Sequence, residues 1–296
     1  MLTYSYTCPD KCLNYQKSKP AAEASNDPTS PLNFKGKIAK RYEDSVEWWP
    51  PTYRPAPDNA PNVVVILLDD TGFAQLGSFG GLIETPNIDS LAEGGIRYNN
   101  FHTTALCSPS RASIMAGRNP HSIGLGSHSL TAMGFPGYNA KMPESAKSVA
   151  NDLQGAGYIN YARGKWDHTP LYEVSQVGPF DRWPSGEGFQ HAYTFMAADV
   201  HQFVPVMWND HTPEPYRKSV HLDQDLADRA IEWITGHKSI KKDLPFMLLW
   251  ASGSKHSRHH APDSHIGKYK GNSDMGGDKA RVNRLEKHKK TGSGPS

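Results

Sequence analysis

The feature that most limits how this chain can fold is an uninterrupted apolar run at residues 63–68, with the sequence VVVILL. A run of this length, rich in β-branched side chains, is typical of a strand that is buried on both faces. Such a strand needs helices packed on both sides of its sheet. The run ends at Asp69 and Asp70, which places two carboxylates where the predicted strand stops.

Predicted strands and helices alternate along the rest of the chain. We expect helices over residues 86–94, 108–117, 143–155 and 222–236, and further strands over residues 96–102, 158–162 and 245–250, the last of them also buried on both faces. The apolar positions that we expect to face the core are Ile88 and Leu91 in the first helix and Leu226, Ala227, Ala230, Ile231 and Ile234 in the last. This alternation predicts an α/β fold in which a mainly parallel sheet has helices on both faces.

The region before the apolar run has a different composition. Residues 1–60 are rich in proline, serine, asparagine and lysine, and proline at this density disfavours both helices and central strands. We expect an N-terminal arm there, with its first 30 residues disordered. The ordered domain is expected to cover residues 61–296.

Charge and hydropathy exclude several classes of protein. The net charge of the 296-residue chain is +2, which argues against nucleic acid or an anionic membrane as a partner. No apolar run is long enough to span a bilayer, and the N-terminus lacks the basic and apolar regions of a secretory signal. We therefore expect a soluble, cytoplasmic protein.

Polar clusters follow three of the predicted strands, and α/β proteins carry out their chemistry beyond the carboxyl ends of such strands. The clusters are Asp69 with Asp70, residues 164–168, and residues 256–260. The adjacent carboxylates of Asp69 and Asp70 suit a hard cation such as Ca²⁺ or Mg²⁺. A solvated turn capped by Asp70 explains the same pair equally well.

One of the three cysteines in the chain, Cys107, lies where the helix at residues 108–117 is expected to begin. Amide donors at a helix N-terminus stabilise a thiolate, and Arg111 one turn later adds a fixed positive charge. These neighbours fit a thiolate nucleophile, although a small buried side chain is the simpler alternative.

The spacing around this cysteine resembles the signature of the sulfatase family, Cys-x-Pro-Ser-Arg followed by Gly-Arg. Here it reads Cys107-Ser-Pro-Ser-Arg111, with Gly117 and Arg118 downstream. Other segments resemble the bacterial-type arylsulfatases in the same order, namely residues 62–70, 84–89, 100–104, 164–166, 178–183 and 259–262. The resemblance runs from about Phe34 to the last residue. It implies an alkaline-phosphatase/sulfatase-like fold, in which residues 61–296 form the N-terminal part of the catalytic domain.

The resemblance also implies an arylsulfatase chemistry at position 107. In this family a formylglycine-generating enzyme oxidises the cysteine to formylglycine, and the hydrate attacks the sulfur of a small-molecule sulfate ester. The implied ligands for Ca²⁺, or alternatively Mg²⁺, are Asp69, Asp70 and residue 107. The implied catalytic residues are Arg111, which would hold the hydrate, Lys165, which would contact the sulfate, and His256, which would contact the sulfate or assist the leaving oxygen.

The chain departs from the family pattern at two places. The family motif reads Gly-Lys-Trp-His, but residue 167 is Asp, and its carboxylate is unfavourable beside a sulfate. His168 is then the candidate for the catalytic imidazole, although a one-residue shift on an extended segment turns a side chain to the opposite face. The Asp-Asn metal ligands and the further lysine of the family have no counterpart before Ser296, so we expect a fold that is incomplete at its C-terminus.

Three functions remain open from the sequence. The first is an arylsulfatase that depends on formylglycine. The second is a catalytically silent sulfatase-like fragment, which the missing ligands and Asp167 favour. The third, a related phosphatase or phosphotransferase, is disfavoured because such relatives carry Ser or Thr where this chain has Cys107.

Overall fold

The computed structural model describes residue 30 and residues 33–50, 56–216 and 219–292. The chain divides into two compact units, Met1–Pro55 and Ala56–Ser296. In the described part of the first unit, Lys37 and Val46 form an antiparallel bridge. The predicted disorder of the first 30 residues falls on residues outside the described set, apart from Ser30.

The second unit is built on a six-stranded sheet. Its strands are β1 (Val63–Leu67), β2 (Ile159–Lys165), β3 (His191–Phe195), β4 (Val206–Asn209), β5 (Thr212–Pro215) and β6 (Phe246–Ala251). They lie in the order β1-β6-β2-β3-β4-β5. The first four strands in this order are parallel, and β4 and β5 add an antiparallel hairpin at one edge. The predicted mainly parallel α/β sheet is confirmed.

Helices connect the strands. The described residues form α1 (Pro86–Gly94), α2 (Cys107–Ala116), α3 (Val149–Gly155), α4 (Leu222–Ile240), α5 (Asp263–Lys268) and α6 (Gly277–Thr291). The helices predicted from residues 86, 108 and 222 are confirmed, and α4 runs further than predicted. The start of α3 is later than predicted because the side chain of Ser148 caps it by accepting a hydrogen bond from the N–H of Ala150. Among the described helices, none has the length and apolar character needed to cross a membrane.

The strand predictions contain one error and three omissions. Residues 96–102 form no helix or strand, and Ile96 and Phe101 are exposed, so the alternating pattern there is not a burial pattern. The omitted strands are β3, β4 and β5. In β5, Pro213 and Pro215 hide the strand signal, and they are tolerated because β5 lies at the edge of the sheet.

The first strand, β1, is not buried on both faces as its apolar run predicts. The side chains of Val64 and Ile66 are each 51% exposed, whereas Val65 packs against the core. β1 is an edge strand of the described sheet, with β6 as its single neighbour there. β6 itself has a strand on each side and is buried on both faces, as predicted.

Two predicted core positions, Leu91 in α1 and Ile231 in α4, are exposed. The buried residues of α4 run from Leu222 to His237, whose Nδ1 lies 2.8 Å from the hydroxyl of Tyr161 in β2. Leu226 and Ala230 are buried as predicted, and Ile234 packs against the core. The prediction is therefore right about the helix and most of its inward face, and wrong for Ile231.

β2 and β6 approach each other closely just before β2 ends. Gly164 has a φ of +90°, and a Cβ built on it would lie 1.9 Å from the carbonyl oxygen of Ala251 in β6. Glycine has no Cβ, so it is the one residue that adopts this left-handed backbone and also fits against the neighbouring strand. The next residue is Lys165, so this close contact fixes where the polar residues leave the sheet.

This contact predicts the effect of two matched substitutions. Gly164→Ala is expected to lower the free energy of unfolding by about 2–4 kcal/mol, because backbone strain and a clash with a neighbouring strand combine. Gly236→Ala, in α4 with no atom near the new methyl group, is expected to raise it by about 0.5–1 kcal/mol. Urea unfolding measures both values. A Gly164→Ala protein as stable as wild type would contradict the close approach of the two strands.

Candidate active site

The candidate active site lies where the parallel strands end. Asp69 follows β1, Lys165 is the last residue of β2, and Cys107 is the first residue of α2. Arg111 lies one turn further along the same helix. Residues that are far apart in the sequence thus meet at one edge of the sheet, as expected for an α/β fold.

The side chain of Asp69 is buried between two cations. Its Oδ1 accepts a hydrogen bond from Arg111 Nη2 at 3.1 Å, and its Oδ2 accepts one from Lys165 Nζ at 2.7 Å. The other terminal nitrogen, Arg111 Nη1, donates to the backbone carbonyl of Lys165 at 2.9 Å. The three side chains are at most 6% exposed. Together these contacts hold β1, β2 and α2 in one arrangement.

A second group of side chains extends from Lys165 to the cysteine. Asp167 Oδ2 lies 3.4 Å from Lys165 Nζ and 3.5 Å from His128 Nε2. The same nitrogen of His128 lies 3.1 Å from Cys107 Sγ. An unbroken series of polar contacts therefore connects Asp69 to the cysteine.

The charges in this series support one another. Contacts with Asp167 and then with Cys107 raise the pKa of His128 to about 9. Burial disfavours the charged form of Asp167, but the hydrogen bond from His128 and the charge of Lys165 outweigh it and lower the pKa of this carboxyl. A negative Asp167 in turn favours a proton on the nitrogen of His128 that faces it.

Two serines hold the His128 segment against α2. Ser108 Oγ in α2 contacts Ser129 Oγ at 3.2 Å, and Ser129 Oγ donates to the backbone carbonyl of Asp167 at 3.2 Å. His128 caps the short turn that follows it, because its Nδ1 accepts a hydrogen bond from the N–H of Leu130. The imidazole is thus anchored on both sides.

His168, the imidazole expected from the sequence, does not reach the cysteine. Its Nδ1 lies 2.9 Å from the carbonyl oxygen of Trp166, and its Nε2 lies 3.1 Å from both oxygens of Glu187. Burial lowers the pKa of His168, but the charge and hydrogen bond of Glu187 outweigh it and the net pKa is raised. Asp167 has a φ of +57°, so the side chains at 167 and 168 leave the backbone in different directions. His168 belongs to the core and not to the site around position 107.

The imidazole beside the cysteine belongs to His128, which the sequence analysis does not single out. His128 lies 21 residues after Cys107, in a segment rich in glycine and serine. Such a segment has no helical or strand periodicity that would place its side chains. The available signal is a titratable residue between two small polar ones, Ser127 and Ser129, and that signal is weak.

The described residues do not fit the predicted Ca²⁺ site. Asp69 has both oxygens bound to cations, whereas Asp70 is exposed, with its Oδ2 4.0 Å from Nε2 of His256. Among the described residues, the three ligating groups that lie close together belong to Cys107, His128 and Asp167, and neither Asp69 nor Asp70 is one of them. Ca²⁺ takes about six to eight oxygens, and Asp69, Asp70 and residue 107 supply too few of them.

The space beside the two buried cations is small. A cavity lined by Arg111, Lys165 and His168 encloses about 10 Å³. That volume holds one water molecule at most and not a sulfate. The direct contact between Lys165 and a sulfate that the resemblance implies is therefore not available in this arrangement.

A larger cavity lies beyond the end of β3. It has a volume of about 410 Å³, and its lining is mostly apolar, with Val174, Met196, Val200 and Trp208 among the contributing residues. The charged pair of Arg258 and Asp199 also lies on its wall, with Arg258 Nε 2.9 Å from the carboxylate. A cavity of this size and composition accommodates an aromatic group.

Comparison with known proteins identifies the family. A family model described as Sulfatase matches residues 61–291. An uncharacterized sulfatase of Schizosaccharomyces pombe is 30% identical over 261 residues, which is 80% of this chain and 45% of that protein. An arylsulfatase of Klebsiella aerogenes is 29% identical over 235 residues, which is 75% of this chain and 48% of that protein. This chain thus spans about half the length of the curated relatives it matches.

A solved structure of a putative sulfatase from Bacteroides fragilis has a similar fold. The TM-score is 0.60 at 24% sequence identity, and the match covers 75% of this chain and 50% of that one. The family model covers most of the second unit, from before β1 to the end of α6. Its match, together with the mainly parallel sheet and the arrangement around Cys107, shows that the chain belongs to the sulfatase family.

Proposed function

We propose that this protein hydrolyses aryl sulfate esters through a formylglycine that a formylglycine-generating enzyme makes from Cys107. The observation that carries the proposal is the position of Cys107. It is partly exposed at the first residue of α2, in contact with an imidazole and one helical turn from the buried Arg111. Membership of the sulfatase family supports the reaction class, and the similarity to an arylsulfatase supports the aryl substrate.

The surroundings of position 107 fit a formylglycine. When present, this group supplies a hydrated aldehyde whose hydroxyl takes the sulfuryl group from the ester oxygen. The first N–H groups of α2 have no acceptor within the helix and favour an anion at this end. His128 Nε2, 3.1 Å from the present Sγ, is a further donor beside the same side chain.

Arg111 and Lys165 act on the reaction through their charge. Negative charge develops on the sulfuryl oxygens and on the leaving oxygen during transfer, and fixed buried cations stabilise it without reorganisation of solvent. The cavity beside Lys165 has room for only one water molecule, so the sulfuryl group must bind on the Cys107 side of the cluster. Asp69 and Asp167 hold the cations in place for this role.

The larger apolar cavity lies beyond β3, the strand next to β2 at the same edge of the sheet, and is the proposed site for the aryl group. Its volume of about 410 Å³ accommodates a substituted ring, and its apolar walls favour desolvation of that ring.

Metal dependence is typical of the sulfatase family. We derive no step of the reaction through Ca²⁺ or Mg²⁺ in this chain, because the described residues do not provide a fitting set of ligands. The roles given to Arg111, Lys165 and the start of α2 do not depend on a metal ion.

A catalytically silent sulfatase-like protein is the second candidate, and one observation favours it. Asp69 is fully engaged by Arg111 and Lys165, and Asp167 adds a buried negative charge close to Cys107. A silent protein of this kind would keep the fold and lack turnover. Conversion of Cys107 and hydrolysis of a substrate separate the two candidates.

Conversion is expected when the chain is produced together with a formylglycine-generating enzyme. The peptide that carries residue 107 should lose its sulfur and gain an aldehyde that reacts with a hydrazide, as read by peptide mass. Hydrolysis of para-nitrophenyl sulfate should rise in proportion to the converted fraction, and Cys107→Ala should abolish both. A thiol that stays unmodified under these conditions would rule out the formylglycine mechanism, and a converted but inactive protein would favour the silent candidate.

Removal of the buried guanidinium is expected to affect both stability and turnover. Arg111→Ala leaves Asp69 with one cation instead of two, which should lower the free energy of unfolding by about 3 kcal/mol. It should also lower kcat of the converted enzyme by about 100-fold or more. Arg281→Ala is the matched control, since its side chain is 80% exposed and pairs with the neighbouring Asp278 at the surface, and it should change stability by less than about 0.5 kcal/mol. Equal effects of the two substitutions would contradict the role of the cluster.

Calcium is expected to leave the thermal stability of this chain unchanged. Both oxygens of Asp69 are already bound to cations, so an ion has no complete site to bind in the native state. Thermal midpoints in excess calcium, in excess magnesium and in a chelator should agree within about 1 °C. A saturable rise of several degrees with calcium would show that the site rearranges to accept the ion.

A further inference from the structure

We propose that His128 is a catalytic residue of this site, donating a hydrogen bond from Nε2–H to the reacting atom of residue 107, and that Asp167 positions its ring. The proposal rests on the function proposed above and adds a residue to it. His128 contacts Cys107 Sγ at 3.1 Å, so an oxygen in place of the sulfur would lie within reach of the same donor.

The hydrogen bonds of His128 indicate which of its two ring nitrogens carries the proton. Nδ1 accepts a hydrogen bond from the backbone N–H of Leu130 at 3.2 Å, which requires a free lone pair on that nitrogen. The neutral ring therefore carries its proton on Nε2. The charged ring keeps the Nε2–H that faces residue 107, but it gives up the contact between Nδ1 and Leu130, because both ring nitrogens are then donors.

Asp167 is placed to orient this donor. Its side chain is fully buried, and its contacts with the neighbouring donors are long and poorly aligned. Its Oδ2 lies 3.4 Å from Lys165 Nζ and 3.5 Å from His128 Nε2. Because this buried carboxylate has only long contacts with the groups that offset its charge, it attracts the Nε2–H of His128. Because Asp167 and Cys107 face the same nitrogen, at 3.5 and 3.1 Å, the carboxylate keeps the Nε2 edge of the ring turned toward position 107.

The three groups are also close enough to suggest a metal site, and the tautomer argues against that alternative. The ligating atoms of Cys107, His128 and Asp167 lie within 4.8 Å of one another. A histidine that binds a metal through Nε2 normally carries its proton on Nδ1 and donates it to an acceptor. Here Nδ1 faces the N–H of Leu130, so a proton on Nδ1 would meet another donor. The arrangement favours a proton and not a metal ion between His128 and residue 107.

A donor to residue 107 acts on turnover more than on substrate binding. It contacts the enzyme group that attacks the sulfur and not the ester itself, so it affects kcat and leaves KM nearly unchanged. A residue with a merely structural role would not separate the two constants in this way, nor would it be rescued by a side chain that restores only the donor.

The test compares His128→Ala, His128→Gln, Asp167→Asn and His121→Ala in protein whose conversion at position 107 has been quantified by peptide mass. With para-nitrophenyl sulfate, His128→Ala should lower kcat per converted site by about 10- to 100-fold with KM within about twofold of wild type. His128→Gln should recover part of this loss, because its amide N–H2 can reach the same atom. Asp167→Asn should lower kcat by less than His128→Ala does. His121→Ala, which removes an exposed imidazole of the same segment, should match wild type.

A second readout tests the contact without turnover. His128→Ala removes the group that lies 3.1 Å from Cys107 Sγ, so alkylation of unconverted protein by iodoacetamide at neutral pH should be several-fold slower in this variant than in wild type. His128→Gln should again be intermediate. If wild-type protein is converted but hydrolyses nothing, the proposed function fails. The alkylation rates then still show whether His128 donates to residue 107.

Two results of the kinetic and alkylation measurements would overturn the role of His128. One is an alkylation rate and a kcat in His128→Ala that equal those of wild type. The other is a His128→Gln protein no better than His128→Ala in both measurements, since that would show a structural role. Stabilisation of the unconverted protein by Zn²⁺ that disappears in His128→Ala would replace the proposed donor with a metal site.

Discussion

The contact on which the rest of the site depends is the buried carboxylate of Asp69 between Arg111 and Lys165. Each of these charges would be costly to bury alone, and each is retained because the others are present. The contact joins the end of β1, the end of β2 and the first turn of α2. It therefore decides where the start of α2, and with it Cys107, lies over the sheet.

A series of charged and polar side chains connects this contact to the cysteine. Lys165 contacts Asp167, Asp167 contacts His128, and His128 contacts Cys107. The buried cations are too enclosed to meet a substrate, so they set the electrostatic potential, and the atoms that meet the substrate are those at position 107 and its donor. The family motif has His where this chain has Asp167. In this structure Asp167 contacts His128, an imidazole from another part of the chain that lies beside Cys107.

The sequence predicts the parts of the fold that have strong local signals. The apolar runs at β1 and β6 and the helices α1, α2 and α4 are found where the pattern places them. The failures have physical causes. β5 is hidden by two prolines that only an edge strand tolerates, and the exposed side chains at residues 96–102 alternate without being buried. In α4 the pattern places Leu226 and Ala230 correctly, whereas Ile231 is exposed.

The same distinction applies to the site. Cys107, Arg111, Asp69 and Lys165 are predicted from a spaced motif and from strand ends, and the structure brings them to one edge of the sheet. His128 enters through a turn rich in glycine and serine, and the left-handed backbone at Asp167 sends His168 into the core. Neither outcome is encoded in a periodic pattern, because both depend on tertiary contacts between segments distant in sequence.

The most direct test of the account is a crystal structure of the protein with bound inorganic sulfate. The expected result is an ordered sulfate at the start of α2, about 3 Å from the atom at position 107 and from His128 Nε2, with Asp69 still bound to Arg111 and Lys165. A sulfate found instead in direct contact with Lys165, with the pair between Asp69 and Lys165 broken, would contradict it. That result would show that the buried cations open to receive the substrate and that the position of the sulfuryl group argued here is wrong.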